Sequence, residues 1–208
     1  MGAFSFLHTE LGIDLGTANI VIIYNDKEAL NMPSMIAMNK TTNKAIAVGD
    51  EAREMYGKTH DGIEVIRPLR GGVIADFNAA ELMLIEMIKK VKKKTSVFPS
   101  SLRLLICIPS GRTQVEERSV REAAERAGAR EVKLILEPMA AALGVGINVT
   151  APVGNMIVDI GGGTSEIAVI SLGGIVAQAS IRAAGDNFNQ DIIDYMRRVK
   201  DIHIGERS

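Results

Sequence analysis

Two short stretches of the sequence place an aspartate directly before a glycine-containing turn. The first, DLGTAN, starts at Asp14, and the second, DIGGGT, starts at Asp159. Backbone amides of such a turn can converge on an anion, because glycine lacks a side chain and lets phosphate oxygens approach. Neither stretch contains the lysine of a GxxxxGKS or GxxxxGKT loop or the GxGxxG pattern, so the two commonest phosphate-binding loops are excluded. The pair therefore predicts a phosphate site of another kind.

An ordinary tight β-turn is the alternative for either stretch taken alone. The second stretch, however, has three consecutive glycines, Gly161–Gly163. Each glycine costs roughly 0.5–1 kcal/mol of backbone entropy in a regular element, which a purely structural hairpin rarely needs. The two turns together favour phosphate binding over a structural role.

The two aspartates indicate what else the site must hold. Carboxylates beside a phosphate repel it by several kcal/mol at an effective dielectric of about 20, so a cation must lie between them. Mg²⁺ takes oxygen ligands, keeps several waters and bridges phosphates to one or two carboxylates. Asp14 and Asp159 are therefore predicted magnesium ligands. The three histidines lie far apart in the sequence and lack the spacing of zinc ligands.

The elements around these turns alternate between strand and helix, which indicates an α/β fold. The segments LGIDL and NIVIIYN predict a β-hairpin, and a similar hairpin surrounds the second turn. Short strands, turn-rich loops and one short helix predict a small insertion over about residues 31–77. Asn78 is the predicted N-cap of a long helix, and Thr113 with Glu116 forms a capping-box pattern before the next one.

Composition narrows the class of protein further. The 208 residues include 24 basic and 25 acidic side chains, so no overall field attracts the chain to nucleic acid. The single cysteine, Cys107, lies in an apolar run and is interpreted as a buried thiol. The longest apolar stretches are too short to cross a bilayer, and the amino terminus lacks the pattern of a signal peptide. These features predict a cytoplasmic protein.

The two turns and the segment LEPMAAALG between them resemble the superfamily of actin, heat-shock chaperone and sugar kinase ATPases. The segments IRPLRGGVIADF, CIPSG, AGAREVKLILEPMAAALGVGI and IGERS are similar to the MreB family of bacterial actins, and the matches span nearly the whole chain. The resemblance implies an actin-like ATPase fold with ribonuclease H-like lobes. It implies a complete first lobe over residues 1–145, which includes the insertion, and a truncated second lobe over residues 146–208.

The resemblance also implies roles for individual residues toward ATP and Mg²⁺. Glu137 orients the attacking water with help from Thr164, whereas Asp14 and Asp159 hold Mg²⁺ through water. The other residues implied to contact the nucleotide are Gly16, Thr17, Ala18, Asn19, Gly161, Gly162, Gly163 and Glu206. From the residues alone, Glu137 has the alternative role of a helix-capping carboxylate.

The same resemblance implies head-to-tail filaments on the inner face of the cytoplasmic membrane, which maintain cell shape by guiding wall synthesis. Val97 and Phe98 follow five lysines and are expected to enter the membrane, with Phe4, Phe6 and Leu7 as a second anchor. A solvated helix end, with lysines that suit the helix dipole, is the alternative for this segment. For the whole chain, the alternative is a noncatalytic fragment that binds membrane or filaments.

Overall fold

The computed structural model describes residues 8–95 and 101–206. A mixed sheet in the order β10-β9-β1-β2-β3 forms the largest layer. Its strands are β1 (His8–Leu15), β2 (Asn19–Tyr24), β3 (Lys27–Pro33), β9 (Ser101–Ile108) and β10 (Ala129–Leu136). Strands β1, β9 and β10 are parallel, whereas β1, β2 and β3 follow one another as antiparallel neighbours. The first predicted hairpin, formed by β1 and β2, is confirmed.

Two helices, α2 (Phe77–Thr95) and α3 (Gln114–Arg126), cover one face of this sheet. The side chains on that face alternate along the strands with the two-residue period of a pleated sheet. The buried core contains Leu11, Ile13, Ile20, Ile22, Leu104 and Ile106 from the sheet, and Met83, Leu84, Met87, Ile88, Val120 and Ala124 from the helices. This packing fixes the strand ends that carry the site.

The starts of these helices test two expectations. The predicted capping box of α3 is confirmed, because Thr113 Oγ1 accepts a hydrogen bond from the Glu116 N–H and the Glu116 carboxylate accepts one from the Thr113 N–H. The prediction of Asn78 as the N-cap of α2 is wrong. Asp76 caps the helix instead, since its Oδ1 accepts a hydrogen bond from the Ala79 N–H at 2.9 Å.

A second, smaller sheet lies within the predicted insertion. It has the order β5-β4-β6 and consists of β4 (Ile36–Asn39), β5 (Ala45–Val48) and β6 (Ile63–Ile66), with the short helix α1 (Asp50–Met55) packed against it. The main sheet continues through Pro33, so the inserted sheet begins at Ile36. Two short strands, β7 (Leu69–Arg70) and β8 (Val73–Ile74), then lead back to α2.

The last part of the described chain contains an antiparallel sheet in the order β11-β12-β13. Its elements are β11 (Asn155–Ile160), β12 (Ser165–Ser171), β13 (Gly174–Ile181) and the following helix α5 (Gly185–Lys200). Helix α4 (Glu137–Gly144) packs on this sheet through Ala142, which contacts the cluster around Ala168 and Ile170. The second predicted hairpin is confirmed by the pairing of Asp159 with Glu166, whereas the lobe boundary at residue 145 stays a prediction.

Candidate functional site

The two predicted turns face each other across one cavity of about 270 Å³. Its lining contains most of the residues that the sequence points to: Asp14, Gly16, Thr17, Ala18, Asn19, Glu137, Asp159, Gly161, Gly162, Gly163 and Thr164. Gly72 and Arg112, which the sequence did not point to, line it as well. The structure therefore brings together two turns that lie far apart in the sequence.

Parallel strand pairing explains how one side of the cavity is built. Asp14 at the end of β1 is in register with Cys107 of β9, and Leu136 of β10 is in register with Ile108 of β9. Glu137, the first residue of α4, follows Leu136 directly. Because parallel strands end at the same edge of a sheet, Asp14 and Glu137 reach the same cavity. Ligands of α/β sheets bind outside this carboxyl edge.

The glycines of the second turn allow the two turns to touch. A Cβ atom added at Gly162 would lie 2.6 Å from the Ala18 Cβ, and one added at Gly163 would lie 2.6 Å from Thr17 Oγ1. Real Cβ atoms do not approach other atoms so closely. A side chain at either position would therefore collide with the opposite turn, whereas glycine leaves the two turns in contact. Thr17 Oγ1 also accepts a hydrogen bond from the Gly72 N–H at 3.2 Å.

The electrostatics of the cavity are dominated by acidic groups. Burial raises the pKa of Asp14, and the negative charge of Asp159 raises it further. Burial also raises the pKa of Glu137 to about 8, with a further increase from Asp14 and an opposing effect from Arg112. Burial and then Asp14 raise the pKa of Cys107 to about 12, so this partly buried thiol stays protonated at neutral pH.

These groups fit a magnesium–phosphate ligand. Among residues 8–95 and 101–206, no group of three or more His, Cys, Asp or Glu side chains is placed to hold a metal ion without other ligands. Mg²⁺ needs only one or two protein carboxylates when phosphate oxygens and waters complete its octahedron. The mutual repulsion of Asp14 and Asp159 is the kind of charge arrangement that a cation relieves.

Sequence reasoning missed Arg112, which follows the end of β9 in the loop PSGRT. Arg112 lines the cavity, and the Nε and Nη1 atoms of its guanidinium are shielded from solvent without a hydrogen-bond partner. Burial lowers the pKa of Arg112, whereas Glu137 is the first of several acidic groups that raise it. One feature could have indicated Arg112 as a site residue. It follows the strand next to that of Asp14, at the carboxyl edge of the sheet.

The structure separates Glu206 from the phosphate-side residues. Glu206 lines a neighbouring cavity of about 330 Å³, together with Asp186 of α5. Ala18 and Asn19 line both cavities, so the first turn lies between them. The two cavities are thus placed to receive different ends of one extended ligand.

The residues predicted to enter the membrane lie outside the described part of the chain; they are Val97, Phe98, Phe4, Phe6 and Leu7. Of the five lysines before Val97, Lys92, Lys93 and Lys94 belong to the last turn of α2, and Lys89 and Lys90 lie earlier in the same helix. No helix within residues 8–95 and 101–206 is long and apolar enough to cross a membrane.

Comparison with known proteins identifies the family. A family model described as "MreB/Mbl protein" matches residues 8–208. The chain belongs to the MreB/Mbl family. The cell shape-determining protein Mbl of Bacillus cereus is 50% identical over 200 residues, which cover 96% of this chain and 60% of that protein. The cell shape-determining protein MreB of Escherichia coli K12 is 49% identical over 210 residues, which cover 99% of this chain and 59% of that protein.

Solved structures of related proteins have a similar fold. MreB5 of Spiroplasma citri bound to ADP has a TM-score of 0.85 and 39% identity, with 97% of this chain and 60% of that chain covered. The MamK double helical filament, at 20% identity and a TM-score of 0.76, shows a likeness of fold alone. The predicted actin-like α/β fold is confirmed. The chain spans about 60% of the length of the MreB/Mbl relatives it matches.

Proposed function

We propose that this MreB/Mbl chain binds a magnesium–adenine nucleotide between its two Asp–Gly turns and hydrolyses ATP. The observation that carries the proposal is that Asp14, Asp159 and Glu137 share one cavity with both turns. MreB5 of Spiroplasma citri, which is 39% and 38% identical in the two comparisons, has been solved with ADP and with AMPPNP. Those ligands support an adenine nucleotide as the phosphate compound for this chain.

The turns act as the phosphate clamp. Within the second turn, the Gly161 N–H donates to the Thr164 carbonyl at 2.9 Å, so we assign phosphate contacts to the amides of Gly162 and Gly163. The amides of the first turn, Gly16–Asn19, approach the phosphates from the other side. Asp14 and Asp159 would hold the magnesium ion. When bound, Mg²⁺ would neutralise phosphate charge and help to orient the phosphates.

Glu137 is the proposed partner of the attacking water, with Thr164 hydrogen bonding beside it. A general base works best when its pKa lies near the working pH, and the pKa of Glu137 is about 8. Its alternative role, helix capping, gains no support from α4, because Leu136 and not Glu137 occupies the N-cap position. The ionised form of Glu137, which predominates above about pH 8, accepts hydrogen bonds from the water and takes its proton as attack proceeds. Phosphoryl transfer requires such positioning more than covalent chemistry.

The cavity lined by Glu206 is the proposed site of the nucleoside. It adjoins the phosphate cavity through Ala18 and Asn19, and its polar side chains include Asp186, Asn189 and Gln190. Carboxylates and amides at such a position are suited to hydroxyl groups of a ribose and to polar atoms of a base.

At the cellular level, we infer that the protein forms head-to-tail filaments on the inner face of the cytoplasmic membrane and maintains cell shape by guiding wall synthesis. Relatives that are 49–50% identical are named cell shape-determining proteins, which supports this role. The basic last turn of α2 suits an anionic lipid surface next to Val97 and Phe98. The near balance of charges gives no support for a nucleic-acid partner.

Release of phosphate from Mg²⁺–ATP tests the enzymatic proposal against the noncatalytic alternative. We expect the chain to release phosphate and Glu137→Ala to slow the release by at least about 100-fold, because the water loses its base. ADP binding by both proteins is the control for an intact nucleotide site. Phosphate release that is equally slow in both proteins would reject hydrolysis and leave a fragment that binds filaments or membrane.

A further inference from the structure

Two hydrogen-bond donors of the Arg112 side chain are shielded from solvent and have no acceptor. Its Nε and Nη1 atoms face no hydrogen-bond acceptor and are shielded from solvent. Two other arginines of the described residues, in contrast, form ion pairs: Arg67 contacts Asp186 at 3.1 Å, and Arg126 contacts Glu81 at 3.2 Å. Arg112 is thus a half-buried cation that lines the phosphate cavity, with two shielded donors that have no protein acceptor.

The cost of this arrangement argues for a ligand. A guanidinium keeps its proton even when burial lowers its pKa, because its ordinary pKa lies far above neutral pH. Leaving buried donors of a charged group unpaired is costly, since the group loses its hydration without compensation. Such a group is retained most readily where an incoming anion completes it, and Arg presents its donors as a fork that matches phosphate oxygens.

The nearby carboxylates are already engaged or proposed for another task. Glu116 accepts hydrogen bonds from Thr113 in the capping box. Glu166 accepts hydrogen bonds from the Ser110 N–H at 3.1 Å and from the Ser180 hydroxyl. Glu137, which lines the same cavity as Arg112, and Glu117 of α3 remain, and neither accepts a hydrogen bond from Arg112 Nε or Nη1. The acceptor for the Arg112 fork is therefore expected to enter the cavity from outside.

We propose that Arg112 is a further catalytic residue, whose Nε and Nη1 donate hydrogen bonds to the terminal phosphate of bound ATP. The proposal rests on the proposed nucleotide function. As the water oxygen bonds to the γ-phosphorus, the bond from that phosphorus to the β–γ bridging oxygen breaks, ADP leaves with the electron pair, and Glu137 takes the proton of the water. Arg112 offsets the negative charge on the equatorial oxygens during this step, as an arginine supplied by the same chain.

Affinities for AMPPNP and ADP, measured by titration calorimetry with Mg²⁺, test the contact. We expect Arg112→Met to weaken AMPPNP binding by about 10- to 100-fold and to change ADP binding by less than about 2-fold, because ADP lacks the terminal phosphate. Arg112→Lys restores part of the AMPPNP affinity as a point charge without the fork. Arg118→Met, which removes an exposed arginine on α3, is the matched control and leaves both affinities unchanged.

The possible results separate this contact from the proposed function. Equal losses for AMPPNP and ADP in Arg112→Met, or no loss for AMPPNP, would overturn the terminal-phosphate contact and leave nucleotide binding intact as a function. Failure of the unmodified chain to bind either nucleotide would reject the proposed function and the Arg112 contact together.

Thermal unfolding of the nucleotide-free protein distinguishes the contact from a structural role. Removal of an unpaired buried charge is expected to leave the melting temperature of Arg112→Met unchanged or higher. A lower melting temperature of Arg112→Met than of Arg118→Met would show that Arg112 stabilises the apoprotein, and it would contradict the inference that its donors await a ligand.

Discussion

At the scale of single residues, Glu137 links the chemistry of the site to the stability of the chain. Its pKa is about 8 in the folded protein, whereas an unburied glutamate titrates near 4.5. Between these values the folded state keeps a proton that the unfolded state has released. The contribution of Glu137 to stability is therefore fully present below about pH 4.5 and is lost as pH rises toward 8. Burial and Asp159 raise the pKa of Asp14 in the same direction, so its contribution has the same sign.

We predict that the free energy of unfolding of the nucleotide-free chain decreases as pH rises from about 5 to 8. One proton held by the folded state gives a slope of up to about 1.4 kcal/mol per pH unit. Glu137→Gln removes the Glu137 part of this slope, because glutamine does not titrate. Urea unfolding of both proteins at several pH values measures the difference. Parallel slopes for the two proteins would contradict the assignment of a raised pKa to Glu137.

At the scale of elements, the contact between the two turns is what builds the cavity. We predict that Gly162→Ala lowers the free energy of unfolding by about 1–3 kcal/mol, since its methyl group would overlap the Ala18 Cβ. Gly144→Ala is the matched control, because a Cβ at Gly144 meets no atom within 4 Å and alanine favours the helix. Denaturant unfolding compares the two. Equal stability of Gly162→Ala and the unmodified chain would mean that the turns do not touch as described.

The elements also show which features of the fold and the site can be predicted from the sequence. Both hairpins and the capping box depend on residues close together in the chain, so local patterns predict them. The role of Arg112 depends on the burial of its side chain by neighbouring elements, which no local pattern reports. Similarly, spacing along the chain cannot tell that Glu206 lines a different cavity from Asp14 and Asp159. The N-cap of α2 predicted from the sequence, Asn78, differs by two residues from the observed one, Asp76. Both Asp and Asn are good N-cap residues, so the sequence does not distinguish them.

At the scale of the whole molecule, the two sides of the site are joined by polar contacts as well as by the turns. Arg67, after the inserted sheet, pairs with Asp186 at the start of α5. The buried Glu166 of β12 accepts a hydrogen bond from the Ser110 N–H in the loop after β9. These contacts connect residues that lie more than fifty positions apart in the chain. We therefore expect a nucleotide in the cavity to stabilise both sides together.

The membrane contact is a prediction about the assembled protein. We expect Val97→Ser combined with Phe98→Ser to reduce sedimentation of the chain with anionic vesicles, because two apolar side chains no longer enter the lipid. Val115→Ser, which changes an exposed valine of α3, serves as the control and leaves sedimentation unchanged. Equal sedimentation of all three proteins would exclude Val97 and Phe98 as an anchor.

Magnesium-dependent binding of AMPPNP tests the central claim most directly, because both turns and both aspartates are required for it. Titration calorimetry measures the affinity for AMPPNP in Mg²⁺ and in EDTA. The same measurement compares the site variants Asp14→Asn and Asp159→Asn with Asp191→Asn, which changes an exposed aspartate of α5. We predict that AMPPNP affinity falls by more than about 100-fold when Mg²⁺ or either site aspartate is removed, and that Asp191→Asn has no effect. AMPPNP binding that is equally tight in EDTA and in both site variants would contradict a magnesium–phosphate site between the turns.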